Sequence, residues 1–247
     1  MPMMLSRLRC LKSGNTLCLG NVHLSFLTYK RLDVTALEAA LAIRHVSKQS
    51  EDGPHLLCGD FNQEPFMPGY QMLHNGHLAD TDKELLRQFP LGPDQDGLKE
   101  NYLVDLIPEL FSHKSEHLKS AYKTIAGHEV PFSNHEDVNG TMKFPSMDDI
   151  RQQQELPSVS RDTPEDEPCH KKKKLRRLYQ TKPENYGKEV FIAALDYLWY
   201  GADELSCTGV LEMIDESKIE QFHSAPNIVF PSDHLLMKAE FEFASSS

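Results

Sequence analysis

Leu56-Leu57-Cys58-Gly59-Asp60-Phe61-Asn62 is an apolar run that stops abruptly at two short polar side chains. A leucine-rich strand closed by glycine sits in a sheet core with its last residues at the sheet edge, where α/β folds collect ligands. Side chains two apart on an extended segment share a face, so Asp60 and Asn62 are expected to point into one crevice. A carboxylate and an amide together suit a hydrated divalent cation and a phosphate oxygen. Gly-Asp-Phe-Asn also reads as a plain turn, and only a second segment with matching polar ends favours the richer reading.

On the N-terminal side, Thr16 to Phe26 (TLCLGNVHLSF) reads as a neighbouring strand. Leu17 and Leu19 are followed by Val22 and Leu24, and the change of parity at Gly20-Asn21 suggests a bulge. His23 faces away from Val22 and Leu24; a histidine there is either structural or a partner for ligand charge. Asp33 is placed to cap a helix running to Gln49. Val34, Leu37 and Leu41 form its apolar stripe, with Glu38, Arg44 and Lys48 towards water. Strand, helix and strand make a parallel crossover, which would bring His23 and Asp60 to the same end of a sheet. Met1 to Asn15 reads as a sheet edge or a remnant.

On the C-terminal side, Pro65 and Pro68 precede a short helix over Gly69 to His74, stopped by Gly76. Asp80 to Pro108 reads as irregular surface with helical fragments, and Leu118 to Tyr122 as the lead into a buried strand. Residues 133–188 are polar and poor in apolar side chains, so they are read as a disordered acidic and basic insert. Within it, HKKKKLRR packs six basic residues into seven positions from Lys171 to Arg177. A solvated charge run, a nuclear import signal and an RNA-contacting patch all fit it. Order returns with Glu189 to Tyr200 (EVFIAALDYLWY), in which Asp196 needs a partner, either a structural ion pair or a site residue. A strand over Leu205 to Met213, a polar helix over Asp215 to Phe222, Pro231-Ser232-Asp233-His234 and a strand ending at Phe243 complete the chain.

The chain has 247 residues, a formal charge of -11 and five cysteines, Cys10, Cys18, Cys58, Cys169 and Cys207. The odd count, wide spacing and lack of a CxxC pair point to reduced thiols rather than disulfides or zinc. No apolar run approaches the roughly 20 residues of a membrane helix, and Met1 to Cys10 lacks a signal core. The expectation is an intracellular, cytoplasmic protein with no membrane partner, and nuclear entry open through Lys171 to Arg177. The acidic balance argues against coating nucleic acid by charge alone.

The polar residues that end or interrupt apolar strands are His23, Asp60, Asn62, Asp196, Asp233 and His234. Carboxylates without cysteines favour a hard cation, magnesium or manganese. Asp196 paired with His234 would fix the imidazole tautomer and hold it protonated against a phosphate oxygen. Asp60 would deprotonate or orient an attacking water, Asn62 would hold it in line, and His23 would steady charge developing on phosphorus. Those roles describe metal-assisted hydrolysis of a phosphate ester.

Val22 to Leu24 (VHL), Gly59 to Pro65 (GDFNxxP), Leu118 to Tyr122 (LKSAY), Leu195 to Tyr200 (LDYLWY) and Pro231 to His234 (PSDH) occur in that order. The set resembles the second half of the endonuclease/exonuclease/phosphatase superfamily, on the branch of nocturnin, Angel proteins, carbon-catabolite-repressor-type deadenylases and 2',5'-phosphodiesterase. The resemblance implies an α/β fold, a four-layer two-sheet sandwich flanked by helices, here incomplete at its N-terminal side. One such domain would span 16–132 and 189–243. It also implies a magnesium-dependent phosphodiesterase of RNA 3'-exonuclease or deadenylase type, with RNA or a nucleotide phosphodiester as partner and a protein partner through the insert.

Carried over, Asp60 is the water-activating aspartate, Asn62 its phosphate-orienting neighbour and His23 the histidine of the His-Leu strand. His234 contacts phosphate, Asp233 lies beside the metal, and Asp196 orients His234. Family members carry a Gln-Glu strand before the His-Leu strand, and its glutamate is the main magnesium ligand. Met1 to Val22 contains no glutamate. The expectation is weak magnesium binding and an inactive form, a truncated product or a degenerate paralogue. The alternative is a non-catalytic RNA- or protein-binding module derived from the family.

Overall fold

The computed structural model describes residues 2–27, 30–51, 53–115, 118–137, 190–201, 205–220, 225–226 and 229–243. In chain order the elements are β1 (Met3–Arg9), β2 (Thr16–His23), α1 (Leu32–Ser50), β3 (His55–Asp60), α2 (Pro68–Asn75) and α3 (Asp80–Leu86). Then come β4 (Gly92–Pro93), β5 (Glu100–Asn101), α4 (Leu103–Leu106), β6 (Lys119–Ser120), α5 (Ala121–Ala126) and β7 (Asn134–Asp137). The last are β8 (Val190–Ala193), β9 (Asp196–Gly201), β10 (Leu205–Val210), α6 (Glu216–Glu220) and β11 (Ala239–Phe243). They fall into two units: Met1–Asn134 with Ala193–Met213 and Leu236–Ser247, and His135–Ile192 with Ile214–Leu235.

The first unit is built on a five-stranded sheet in the order β1-β2-β3-β9-β6. The crossover through α1 makes β2 and β3 parallel neighbours, whereas β1, β9 and β6 run antiparallel to the strands beside them. Both faces of this sheet are covered, and the sequence of β2 records it. Cys18 and Val22 are buried with the helical layer, while Leu17 joins the cluster on the opposite face. The parity change at Gly20-Asn21 is therefore two apolar faces, not a bulge, and the registers with β1 and β3 run through it without a shift.

Helix α1 packs mainly through Ala36, Ala39, Ala40, Ile43 and Val46; of the expected stripe of Val34, Leu37 and Leu41, Leu37 packs at the edge of this core, Val34 is half-buried and Leu41 is exposed. Alanines let the helix approach the sheet closely. At Gly20 an added Cβ would lie 2.5 Å from a Val46 methyl. Asp33 lies inside the first turn and does not cap it; it is buried and takes two hydrogen bonds from the Arg31 guanidinium, at 2.9 and 2.8 Å. Glu38 is half-buried rather than turned wholly to water, and accepts from the backbone N–H and the hydroxyl of Ser25, both at 2.8 Å.

On the helical side Tyr70 packs between Tyr197 and Trp199, its ring tilted 56° to each at separations of 5.2 and 5.1 Å. On the opposite side β10 and β11 pair antiparallel, and Phe241 meets Tyr200 edge-on at 5.2 Å. Leu17, Leu56 and Leu198 of the large sheet pack with Cys207, Phe241 and Phe243 in that cluster. This is sheet-on-sheet packing, the core of a sandwich. Leu118 to Tyr122 does not lead into a further strand: β6 is short and Ser120 opens α5, its hydroxyl accepting from the Lys123 N–H.

The stretch read as disordered from residue 133 begins too early. Ser133, Asn134 and His135 are buried, and the backbone of β7 pairs with β8. The remainder of that reading, with the basic run from Lys171, lies outside the described residues. In the second unit, the backbone of His135 accepts from Ala225 N–H at 3.0 Å and donates to Asp233 O at 2.9 Å. Among the described residues no helix is long and apolar enough to cross a membrane.

Candidate active site

The C-terminal end of β3 is shaped by two backbone conformations. Gly59 has φ +126, and a Cβ there would stand 1.9 Å from Val22 O, so β2 and β3 meet at a point where only glycine fits. Asn62 has φ +49, in the left-handed region that asparagine tolerates. It is therefore not extended, and Asp60 and Asn62 do not share a strand face. A tight turn joins them instead: Asp60 Oδ1 accepts from Asn62 N–H at 2.8 Å, and Asn62 Nδ2 donates to Asp60 Oδ2 at 3.2 Å and to Leu24 O at 2.9 Å.

Register does what local sequence could not. His23 is opposite Asp60 across the β2–β3 pair, and Asp60 is opposite Asp196 across the β3–β9 pair. Strand parity puts all three on the sheet face that also carries Leu17, Leu56 and Leu198, the face packed against β10 and β11. Adjacent strands are about 4.8 Å apart, so a histidine and two carboxylates stand abreast at one end of the sheet. His23 Nε2 lies 3.5 Å from Asp60 Oδ2; the imidazole is 67% exposed and the carboxylate 13%. An exposed imidazole beside a recessed carboxylate leaves the histidine open to an incoming anion.

Asp196 is held from another direction. Ser133 Oγ donates to Asp196 Oδ2 at 2.7 Å and accepts the backbone N–H groups of Leu195 and Asp196, each at 2.9 Å. Ser133 escaped the sequence reading because it begins a polar stretch; the apolar residues Val130 and Phe132 just before it were the available signal. The loop beyond Asp60 is tied to the same region by Tyr197, whose hydroxyl reaches Gln63 O at 2.8 Å and Ala194 O at 2.7 Å. Full burial drives the Tyr197 phenol well above its usual range, so it remains a neutral donor.

Asp233 and His234 belong to the second unit. His234 N–H donates to Ser232 Oγ at 3.1 Å, and its Nε2 is 4.0 Å from Asp233 Oδ2. Among the described residues no group of three or more His, Cys, Asp or Glu side chains is arranged to hold a metal ion. Asp60 and Asp196 nevertheless offer hard oxygen donors. Magnesium is commonly held by one or two carboxylates completed by water and substrate phosphate, and the pair fits that pattern in kind.

The fold and these strand tips define a layered α/β domain with carboxylates and a histidine gathered at one sheet end. The chain is similar to the Ccr4 subunit of the CCR4-Not complex, a 3'-5'-exoribonuclease, of Coccidioides immitis (strain RS), with 24% identity over 211 residues. It is similar also to carbon catabolite repressor protein 4 homolog 1 of Arabidopsis thaliana, with 26% identity over 233 residues. These matches cover 85% and 91% of this chain but 19% and 30% of the relatives, so the chain spans less than a third of their length. Among solved structures, ANGEL2, a 2',3'-cyclic phosphatase in complex with adenosine-2',3'-vanadate, superposes with a TM-score of 0.57 at 17% identity. That superposition covers 98% of this chain and 61% of ANGEL2. No family model matches the chain. In sequence it thus resembles Ccr4-type proteins, and in fold ANGEL2.

Proposed function

We propose that this chain handles phosphodiesters of RNA 3' ends and cleaves them by metal-assisted attack of water. The observation that supports this most is the alignment of His23, Asp60 and Asp196 on one face across three adjacent strands. Asp60, fixed by the turn to Asn62, takes a proton from the attacking water or orients it. Asn62 holds the Asp60 carboxylate in place rather than reaching out from an extended strand. His23 steadies negative charge developing on the phosphoryl oxygens. Asp60 and Asp196 would hold magnesium or manganese, which supplies Lewis-acid polarisation of the phosphate.

The resemblance adds Asp233 as an acidic residue serving the metal and His234 as a phosphate contact. A protein partner through residues 133–188 and nuclear entry through Lys171 to Arg177 belong to the same reading. A second reading, an RNA- or protein-binding module without turnover, draws on the small number of carboxylates gathered among the described residues. The test is incubation of the purified chain with a short adenylate oligomer and magnesium, beside Asp60→Ala and a chelator control. Shortening of the oligomer by the parent protein, reduced about 10²- to 10⁴-fold by the substitution, supports catalysis. Equal product from both proteins removes Asp60 from the mechanism. Tight binding without product favours the second reading.

A further inference from the structure

Ser133 is completely buried, and the hydrogen bonds around its hydroxyl leave it a single role. Its oxygen accepts two backbone N–H groups, those of Leu195 and Asp196. Two acceptor sites are all a hydroxyl has, so its one proton can only be given away. It goes to Asp196 Oδ2 at 2.7 Å, a charge-assisted bond. The hydroxyl is thus an obligate donor to that carboxylate, with no rotamer in which it turns away without losing both N–H groups, that of Leu195 buried and that of Asp196 partly so.

The position of this contact matters. Asp196 is the first residue of β9 and stands beside Asp60 in the register. Two neighbouring carboxylates repel, and each needs its own donors to stay in place. The Asn62 turn serves Asp60; Ser133, whose own N–H donates to Ala193 O at 2.9 Å, is anchored across the break between β8 and β9 and serves Asp196.

We infer that Ser133 is a positioning residue of the candidate site, which fixes the Asp196 carboxylate beside Asp60 and so sets the geometry in which phosphate and cation are held. The inference rests on the catalytic reading above. Its test is a double-mutant cycle of Ser133→Ala and Asp196→Asn, with Ser133→Thr as the variant that keeps the hydroxyl. On the adenylate oligomer with magnesium, Ser133→Ala lowers kcat about 10- to 100-fold with KM little changed, and Ser133→Thr restores most of it. In the Asp196→Asn background the same alanine substitution changes kcat by less than about twofold. A purely structural serine gives a different result: equal losses in both backgrounds, tracking the fall in Tm, and this overturns the inference. If the parent protein binds but does not cleave, the catalytic reading has failed by itself. The cycle is then read on the Kd for adenosine monophosphate with magnesium. Coupling between the two positions sustains the role of Ser133; additivity, or no binding by the parent protein, overturns it.

Discussion

Replacing Asn62 tests whether the end of β3 is built as described. Its amide donates to Leu24 O at 2.9 Å and to Asp60 Oδ2 at 3.2 Å, its backbone has φ +49, and the residue is 3% exposed. Asn62→Ala removes a donor from a buried carbonyl, which costs about 1–3 kcal/mol. It also forces alanine into the left-handed region, for about 1 kcal/mol more. The expected loss is about 2–4 kcal/mol. Asn62→Gly keeps the turn without strain but loses the same bonds. It should lie about 0–0.6 kcal/mol above alanine, the relief of about 1 kcal/mol of strain less the extra chain entropy of glycine in the unfolded state. Urea unfolding followed by the fluorescence of the single tryptophan, the buried Trp199, reports both. The alanine midpoint should fall by about 1–2 M. An alanine variant within about 0.5 kcal/mol of the parent, the range of surface substitutions, would refute the reasoning.

Three further outcomes follow from the same geometry. Gly59→Ala drives a Cβ to 1.9 Å from Val22 O, and a loss of more than about 3 kcal/mol is expected in thermal unfolding; near-parental stability would mean that β2 and β3 do not approach there. Tyr197→Phe strips a buried donor from Gln63 O and Ala194 O; it should cost about 1–3 kcal/mol by urea titration, and no loss would break that link. His113 donates Nε2–H to Leu73 O, its Nδ1 is buried without a partner among the described residues, and burial pushes the imidazole below its usual value. The unfolded chain therefore takes up this proton more readily. Stability is fully present above the ordinary histidine value of about 6.5 and is lost as pH falls through the depressed folded value. A urea midpoint against pH should show this slope in the parent and a shallower one in His113→Gln; parallel curves would exclude His113 as its source.

Much of the first unit was legible because its signals are local. The leucines of β3, the Pro68 start and Gly76 stop of α2, and the strand-helix-strand spacing from Thr16 to Asp60 each lie within a few residues of what they specify. The misreadings share one cause. The stripe of α1, the apparent bulge in β2, the outward Glu38 and the early end of order at residue 133 all concern what lies opposite a residue, which periodicity does not record. A covered sheet has two apolar faces, and a tightly packed helix buries alanines in preference to its leucines.

The amino-acid sequence alone determined that a strand ends in Asp60, that a helical crossover returns it parallel to the strand of His23, and that a carboxylate interrupts a second apolar run. Backbone propensity and burial period are enough for that. Only the tertiary structure decided that Asp196 stands beside Asp60 and that Ser133, 63 residues away in the chain, holds it. Strand order and register are set by packing between distant segments, and a one-residue slip of β9 would turn Asp196 to the other face of the sheet.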